Sequence, residues 1–414
     1  MKLLATSCAL VLSSSIALLT GCSGNPNATP DGSQSPSSGA AASPSGGGEP
    51  TAGGENGGQG GAPGANPPAT GGGSDPGVPA ADGGTSTPGH GGASSPDGGA
   101  GSSPDASTGT TTPAATTEYA PYFPTWTWGS GGYAYSSLTD LQQKAGLNEV
   151  TIAFVLSGGK CKADQGIEQN LDDVKAFIAA GGHVKASFGG ADGSYVESQC
   201  SSAASLATAI GDFVDATGIT DLDFDIEQDP MLTDAVNDLR GKALKSLQDS
   251  KGVSVAFTLA ANPHDGNSLG GLTSQGQSVV SHAVSNGVKI SHVNLMTMDY
   301  GDQFGGKAMA PVVIGSLQDA HTQLMTLVPG ISSEGAWGMI GVIAMIGKND
   351  DSEVFSLADA TSVIAFAKTN AIGLVSFWSI DRDQVCPSGA DFNSCSTVDK
   401  SNFAFNAIFK TALQ

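Results

Sequence analysis

Positive charge is scarce in this chain. Its 414 residues hold 17 Lys and Arg against 39 Asp and Glu, a formal net charge of −22. A surface of that sign repels phosphate backbones and anionic headgroups, which excludes nucleic acid and anionic lipid as partners. Cysteine is also sparse, with six in all and no C-x-x-C spacing. The six histidines (90, 183, 264, 282, 292 and 321) are scattered, so zinc has no ligand cluster to occupy. No metal and no cofactor is expected. No G-x-G-x-x-G or phosphate loop follows the first strand-like stretch, which disfavours a nucleotide fold. The one long apolar stretch lies in residues 1–22 and is broken by serines, too short to span a bilayer.

That stretch ends Leu19-Thr20-Gly21-Cys22. It resembles a bacterial lipoprotein signal, which implies lipidation of Cys22, export, and an anchor in a membrane. Ser23 follows, and the resemblance then implies sorting to an outer membrane where the cell has one. Residues 23–117 contain Gly, Ser, Pro, Ala and Thr with scattered acids, but no Lys, Arg or aromatic residue. Such a segment cannot bury enough apolar surface to offset its chain entropy, so a disordered tether is expected. Residues 118–414 remain as one domain of barrel size.

Within that domain, strand-like and helix-like stretches alternate. Strands are expected at 119–128, 149–156, 183–188, 219–228, 253–260, 290–298, 339–346 and 373–380. Helices are expected at 137–145, 171–180, 202–216, 232–248, 274–285, 316–327, 357–369 and 401–413. Eight strand–helix repeats in under 300 residues point to an α/β fold, a closed (β/α)8 TIM barrel. A doubly wound open sheet is the alternative.

The fourth strand holds the chemistry. Asp221, Asp223, Asp225 and Glu227 occupy every second position, with Leu222, Phe224 and Ile226 between them. A period of two puts the acids on one face and the apolar side chains on the other. A solvated edge strand gains nothing from an all-acid face, so the acids are expected inside the barrel, pointing up at a site. Crowded carboxyls in a pocket cannot all ionise, and at least one should have a raised pKa.

Four markers together resemble glycoside hydrolase family 18, the chitinase family. The family's D-x-x-D-x-D-x-E falls on Thr220 to Glu227, with Thr220 in place of the first acid. Its S-x-G-G is Ser187-Phe188-Gly189-Gly190, and its M-x-Y-D is Met296-Thr297-Met298-Asp299, with Met298 at the usual Tyr. Ser376-Phe377-Trp378-Ser379 on the eighth strand supplies the floor Trp. The resemblance implies a chitinase acting on chitin or N-acetylglucosamine oligosaccharides by substrate-assisted catalysis. Glu227 would be the acid, Asp225 the orienter of the substrate acetamide, and Asp223 a partner sharing a proton with Asp225. Asp299 and Trp378 would contact substrate. Tyr300 is a candidate for the hydroxyl missing at Met298. An endo-β-N-acetylglucosaminidase and a non-catalytic sugar-binding barrel are the alternatives.

Several residues carry a plain structural reading beside the functional one. Tyr122, Phe123, Trp126 and Trp128 are sugar platforms or core. Ser187 joins the acid network or caps a turn. Met296 is wall packing, and Gly189 and Gly190 serve a tight turn. Gln228, Asn262, Asp302 and Arg382 are possible sugar contacts, with solvated loops as the default. Cys161, Cys200, Cys386 and Cys395 make an even count in an exported domain, so two disulfides are expected. Three pairings are possible, and 386–395 with 161–200 is favoured. A monomer is expected.

Overall fold

The computed structural model describes residues 117–414, apart from 165, 267 and 391. The leader, the lipidation of Cys22 and the tether up to residue 116 lie outside the described residues. Among the described residues, no helix is long and apolar enough to cross a membrane.

Eight parallel strands form the inner layer. The first, β1, is split into Glu118–Tyr119 and Tyr122–Pro124. There follow β2 (Glu149–Ser157), β3 (His183–Gly189), β4 (Asp221–Ile226), β5 (Ser254–Asn262), β6 (His292–Thr297), β7 (Ile340–Met345) and β8 (Leu374–Trp378). The split strand closes the ring. Its first half pairs with β8, Glu118 opposite Leu374, and its second half pairs with β2, Tyr122 opposite Thr151. The break falls at Ala120-Pro121, where proline has no N–H to give to a ladder. There the Ala120 carbonyl accepts the Thr151 and Ser376 hydroxyls at 3.2 and 2.7 Å. The result is a (β/α)8 barrel.

The outer layer is α1 (Leu138–Ala145), α2 (Leu171–Ala179), α3 (Ala203–Thr217), α4 (Asp234–Lys251), α5 (Ser274–Ser285), α6 (Met309–Leu327), α7 (Ser333–Met339), α8 (Leu357–Asn370) and α9 (Ala404–Phe409). Several ends are written into the sequence. Ser137 and Ser202 cap α1 and α3 by accepting N–H groups, and Gly146 and Gly218 end them in the left-handed region. The apolar residues of β4 face these helices. Leu222, Phe224 and Ile226 are each about 1% exposed or less. Phe224 stacks on Phe188 at 5.2 Å, and Phe188 meets Phe213 of α3 edge-on at 5.3 Å. Each such burial contributes about 1.5–3 kcal/mol.

Several elements differ from expectation, among them α7, which the sequence pattern does not predict. Helix α6 starts at Met309 and not at 316, because Pro311 sits in the first turn, where its missing N–H has no partner to lose. The first strand ends at Pro124 and turns into a 3-10 helix over Thr125–Thr127. The closing helix begins only at Ala404, after Phe403 in the left-handed region at φ 64°. The Asp383 carboxylate fixes that start by accepting the N–H of Phe405 and Asn406 at 3.0 and 2.7 Å.

Candidate active site

The C-terminal ends of the strands surround a cavity of about 730 Å³. Asp225 and Glu227 from β4, Met298 and Asp299 after β6, and Trp378 from β8 all line it. These are five of the nine catalytic and substrate-binding residues expected from sequence, brought together from three strands.

Asp223 lies directly beneath, 2% exposed. One carboxylate oxygen accepts the Ser187 and Tyr122 hydroxyls at 2.7 and 3.0 Å. The other accepts Thr258 at 2.8 Å and the Asn294 amide at 3.2 Å. Burial pushes this carboxyl up, and the Ser187, Thr258 and Tyr122 hydroxyls hold it back. All its acceptor positions are taken by donors, so the expected proton shared between Asp223 and Asp225 has no place to sit.

The shared proton lies one step higher. Asp225 and Glu227 touch each other through a hydrogen bond between their carboxyls. Two carboxyls can bond only if one carries the proton. Burial raises Asp225 well above the carboxylate range, and the charges of Glu227 and Asp223 add to it. Burial raises Glu227 to about 7; the Asp225 bond opposes this, and Asp299 and Asp192 reinforce it. The Asp225 Oδ1 atom is buried and has no hydrogen-bond partner.

The backbone under the pair is pinned. The Tyr195 hydroxyl accepts the Glu227 N–H at 2.9 Å. Its own proton faces the Gly190 and Asp225 carbonyls at 2.8 and 3.0 Å. The Gly190 N–H also reaches the Asp225 carbonyl, at 3.0 Å. Gly189 is needed here, because a Cβ on it would fall 2.1 Å from that carbonyl.

An apolar wall completes the site. The Trp378 indole stacks on Phe154 at 5.6 Å and meets Tyr122 edge-on at 5.8 Å. Trp126 stands beside it at 6.0 Å and is 53% exposed at the mouth. Asp299 has φ +51°, and its carboxylate accepts the Asp350 N–H at 2.9 Å. Burial raises its pKa, and Asp350 and Asp351 add to that.

Four expected contacts lie elsewhere or act differently. Tyr300 does not line the cavity; it is 7% exposed and packs on Phe304 in the main core. Ser187 is fully buried and serves Asp223, not a ligand. The Gln228 amide donates to the Ala191 and Gly193 carbonyls at 3.2 and 3.1 Å, tying the β4 end to the loop after β3. Asp223 acts from below the floor. Among the weaker candidates, Tyr122, Trp126, Met296 and Arg382 line the cavity. Phe123 and Trp128 pack on each other at 4.8 Å, and the indole N–H of Trp128 bonds Asp173. Asn262 and Asp302 hold loops, through Ser316 and Ser352.

Sequence reasoning missed Thr258, Asn294, Tyr195, Asp192, Phe154, Asp350 and Asp381. Thr258 and Asn294 had a signal, being polar residues inside apolar strands. The others had none. The structure joins Cys161 to Cys200 and Cys386 to Cys395. The first bond links the loops after β2 and β3. The second staples the loop after β8, whose Gly389, Ala390, Asn393 and Ser394 line the cavity.

No family model matches the chain. Among curated proteins it is similar to a probable bifunctional chitinase/lysozyme of Escherichia coli, 31% identical over 319 residues, covering 70% of this chain and 34% of that protein. It is also similar to endochitinase 11 of Metarhizium anisopliae, 32% identical over 286 residues, covering 64% of this chain and 52% of that protein. The chain thus spans between a third and about half of the length of these relatives. The catalytic domain of a hyperthermophilic chitinase from Pyrococcus furiosus matches in structure with a TM-score of 0.63 at 29% identity, over 73% of this chain and 96% of that one. The likeness to chitinases thus holds both in sequence and in fold.

Proposed function

We propose that the barrel hydrolyses β-1,4-linked N-acetylglucosamine polymers or oligomers, with retention and with help from the substrate's own acetamide. The observation that carries this is the pair of neighbouring carboxyls, Asp225 and Glu227, lining the cavity above an Asp223 that four donors surround. A sugar seated on Trp378 brings its acetamide N–H to Asp225, whose Oδ1 has no partner. Asp225 then leaves Glu227 holding the proton. Glu227 gives that proton to the glycosidic oxygen while the acetamide oxygen attacks the anomeric carbon and the C–O bond breaks. The oxazolinium ring carries a positive charge, which the Asp225 carboxylate offsets at short range. Water then opens the ring, and the Glu227 carboxylate takes its proton. Raised to about 7, Glu227 can act as acid and then as base near neutrality.

Hydrolysis of short N-acetylglucosamine oligomers by the protein and its Glu227→Gln variant tests the proposal. Wild type is expected to cleave, and the variant to bind but lose at least about 10²–10⁴ in kcat. Near-normal turnover by the variant refutes the assignment of the acid. Binding without cleavage by the wild type moves the reading to a sugar-binding barrel.

A further inference from the structure

The cavity wall holds a cation that the mechanism above does not use. The sequence has two arginines, Arg240 and Arg382. Both are 1% exposed. Arg240 is fully engaged: its Nε meets Glu197 at 2.7 Å, and its other nitrogens give to Asn237 and the Met231 carbonyl. Arg382 is not. Its Nη2 donates to the Lys348 carbonyl at 2.5 Å, but Nε and Nη1 are buried without a hydrogen-bond partner. Among the described residues, no carboxylate forms an ion pair with it. A guanidinium carries five N–H bonds, and the three on Nε and Nη1 are left idle. Asp381, Asp350 and Asp299 offset its charge from a distance, but buried N–H groups without acceptors are costly, and the fold keeps these at the ligand cavity.

The backbone that carries the side chain is also held still. The Arg382 N–H bonds the Ser379 carbonyl at 3.0 Å, and its own carbonyl accepts from Ser396 at 2.7 Å and Gln384 at 2.8 Å. Ser396 follows Cys395, so the Cys386–Cys395 bond secures the same loop.

We propose that Arg382 is a sugar-binding residue, its Nε and Nη1 donating to neutral oxygens, hydroxyl or acetamide carbonyl, of a sugar bound at the Trp378 floor. The inference rests on the function proposed above. Charge favours a neutral acceptor over an anionic sugar, since Asp192, Asp225, Glu227, Asp299, Asp350 and Asp381 line the same cavity. A carboxylate-bearing ligand would meet these acids before it met the one guanidinium.

The test measures binding of N-acetylglucosamine oligomers by calorimetry in the Glu227→Gln protein, alone and with Arg382→Gln or Arg382→Lys added. Loss of a charged donor predicts a Kd weakened by about tenfold or more for Arg382→Gln. Arg382→Lys keeps the charge but not the planar donor set, and falls between. In the active enzyme, KM should rise more than kcat falls, a split that a purely structural role would not produce. Kd values within twofold of the parent for both variants overturn this inference alone. A Glu227→Gln parent that binds no oligomer overturns it together with the proposed function. Should Arg382→Gln fail to fold, a crystal structure of the Glu227→Gln complex decides. Nε and Nη1 within hydrogen-bond reach of sugar oxygens uphold the inference, and contact with protein or water alone overturns it.

Discussion

Neutralising Asp192 should move the activity profile toward acid. Glu227, raised to about 7 from 4.5, must be protonated to act. At pH 6 an ordinary glutamate is about 3% protonated, whereas one at about 7 is about 90% protonated, roughly a thirtyfold gain in working acid. So kcat/KM should fall about tenfold per pH unit above about 7. Burial is the main cause, and the charges of Asp299 and Asp192 add to it. Asp299 lies in the proposed sugar site, so its removal would confound binding with titration. Asp192 is exposed on the loop after β3 and gives the cleaner change. Its charge is partly screened there, so Asp192→Asn should lower the basic limb by a few tenths to about one pH unit. The assay is kcat/KM for a fluorogenic N-acetylglucosamine oligomer from pH 4 to 9 at fixed ionic strength. A wild-type profile level to pH 9, or a limb that Asp192→Asn leaves in place or moves upward, refutes the reasoning.

Tyr195→Phe removes the hydroxyl that pairs the Glu227 N–H, and should cost about 1–3 kcal/mol in urea unfolding along with a drop in kcat at nearly constant KM. Unchanged stability and turnover would show that the pin is idle. Removing the Cys161–Cys200 bond, with its sequence separation of 39, should cost about 4 kcal/mol, against about 2.5 kcal/mol for Cys386–Cys395 with its separation of 9. The second loss should instead weaken oligomer binding, because that loop lines the cavity; the reverse ranking in both assays would contradict this. Buried carboxyls should also make the fold more stable in mild acid. Burial raises Glu353 to about 8, Asp383 to about 7 and Asp381 to about 6. Each keeps a proton in the folded state that the unfolded chain has released, so stability falls as pH climbs from about 4.5 to 8. His292, held neutral by burial, opposes this only below its ordinary 6.5. Calorimetry should find a higher Tm at pH 5.5 than at pH 8, and a Tm that rises over that interval would count against it.

The strand and helix pattern was legible where chemistry is local. Ser137 with Gly146, and Ser202 with Gly218, mark helix ends by the hydrogen bonds that they alone can make or the φ that they tolerate. The alternation from Asp221 to Glu227 survives folding unchanged, because a strand has only two faces. Tyr300 marks where that logic stops. Strand β6 ends at Thr297, and Asp299 at φ +51° and Gly301 at φ +107° turn the chain twice in three residues. Glu353 receives the Tyr300 N–H, and the ring swings into the core. A period of two says nothing beyond such a turn. Tyr195 and Asp192 were illegible for another reason: they act on Glu227 from a neighbouring loop, at more than thirty positions' remove in sequence. The Thr125–Thr127 turn and the start of α6 show that proline marks a boundary without saying on which side of it the helix lies.

One strand gives the same acidic residue types different electrostatic fates. At the bottom, Asp221 meets Lys185 at 2.6 Å, and Lys185 also reaches Glu118 at 2.7 Å and Glu149 at 3.3 Å. Here charge answers charge. About 6–7 Å higher, Asp223 meets no cation, but four donors from β1, β3, β5 and β6 surround it. At the level of Asp225 the strand partners are Gly189 and Thr258, the Thr258 hydroxyl is given to Asp223, and the cavity wall is Phe154, Ile343, Met298 and Trp378. An acid there finds support only in the next acid, Glu227, and the pair keeps its proton. Crowding of carboxyls alone does not account for how far Asp225 is raised, since Asp223 is crowded as well and its hydroxyl donors hold it back. The difference lies in what the neighbouring strands contribute at each level: a lysine first, then hydroxyls and an amide, then hydrocarbon and ring. The reactive end is therefore specified as much by the apolar residues of β2, β6, β7 and β8 as by the acidic strand, and the sequence motif names only half of it.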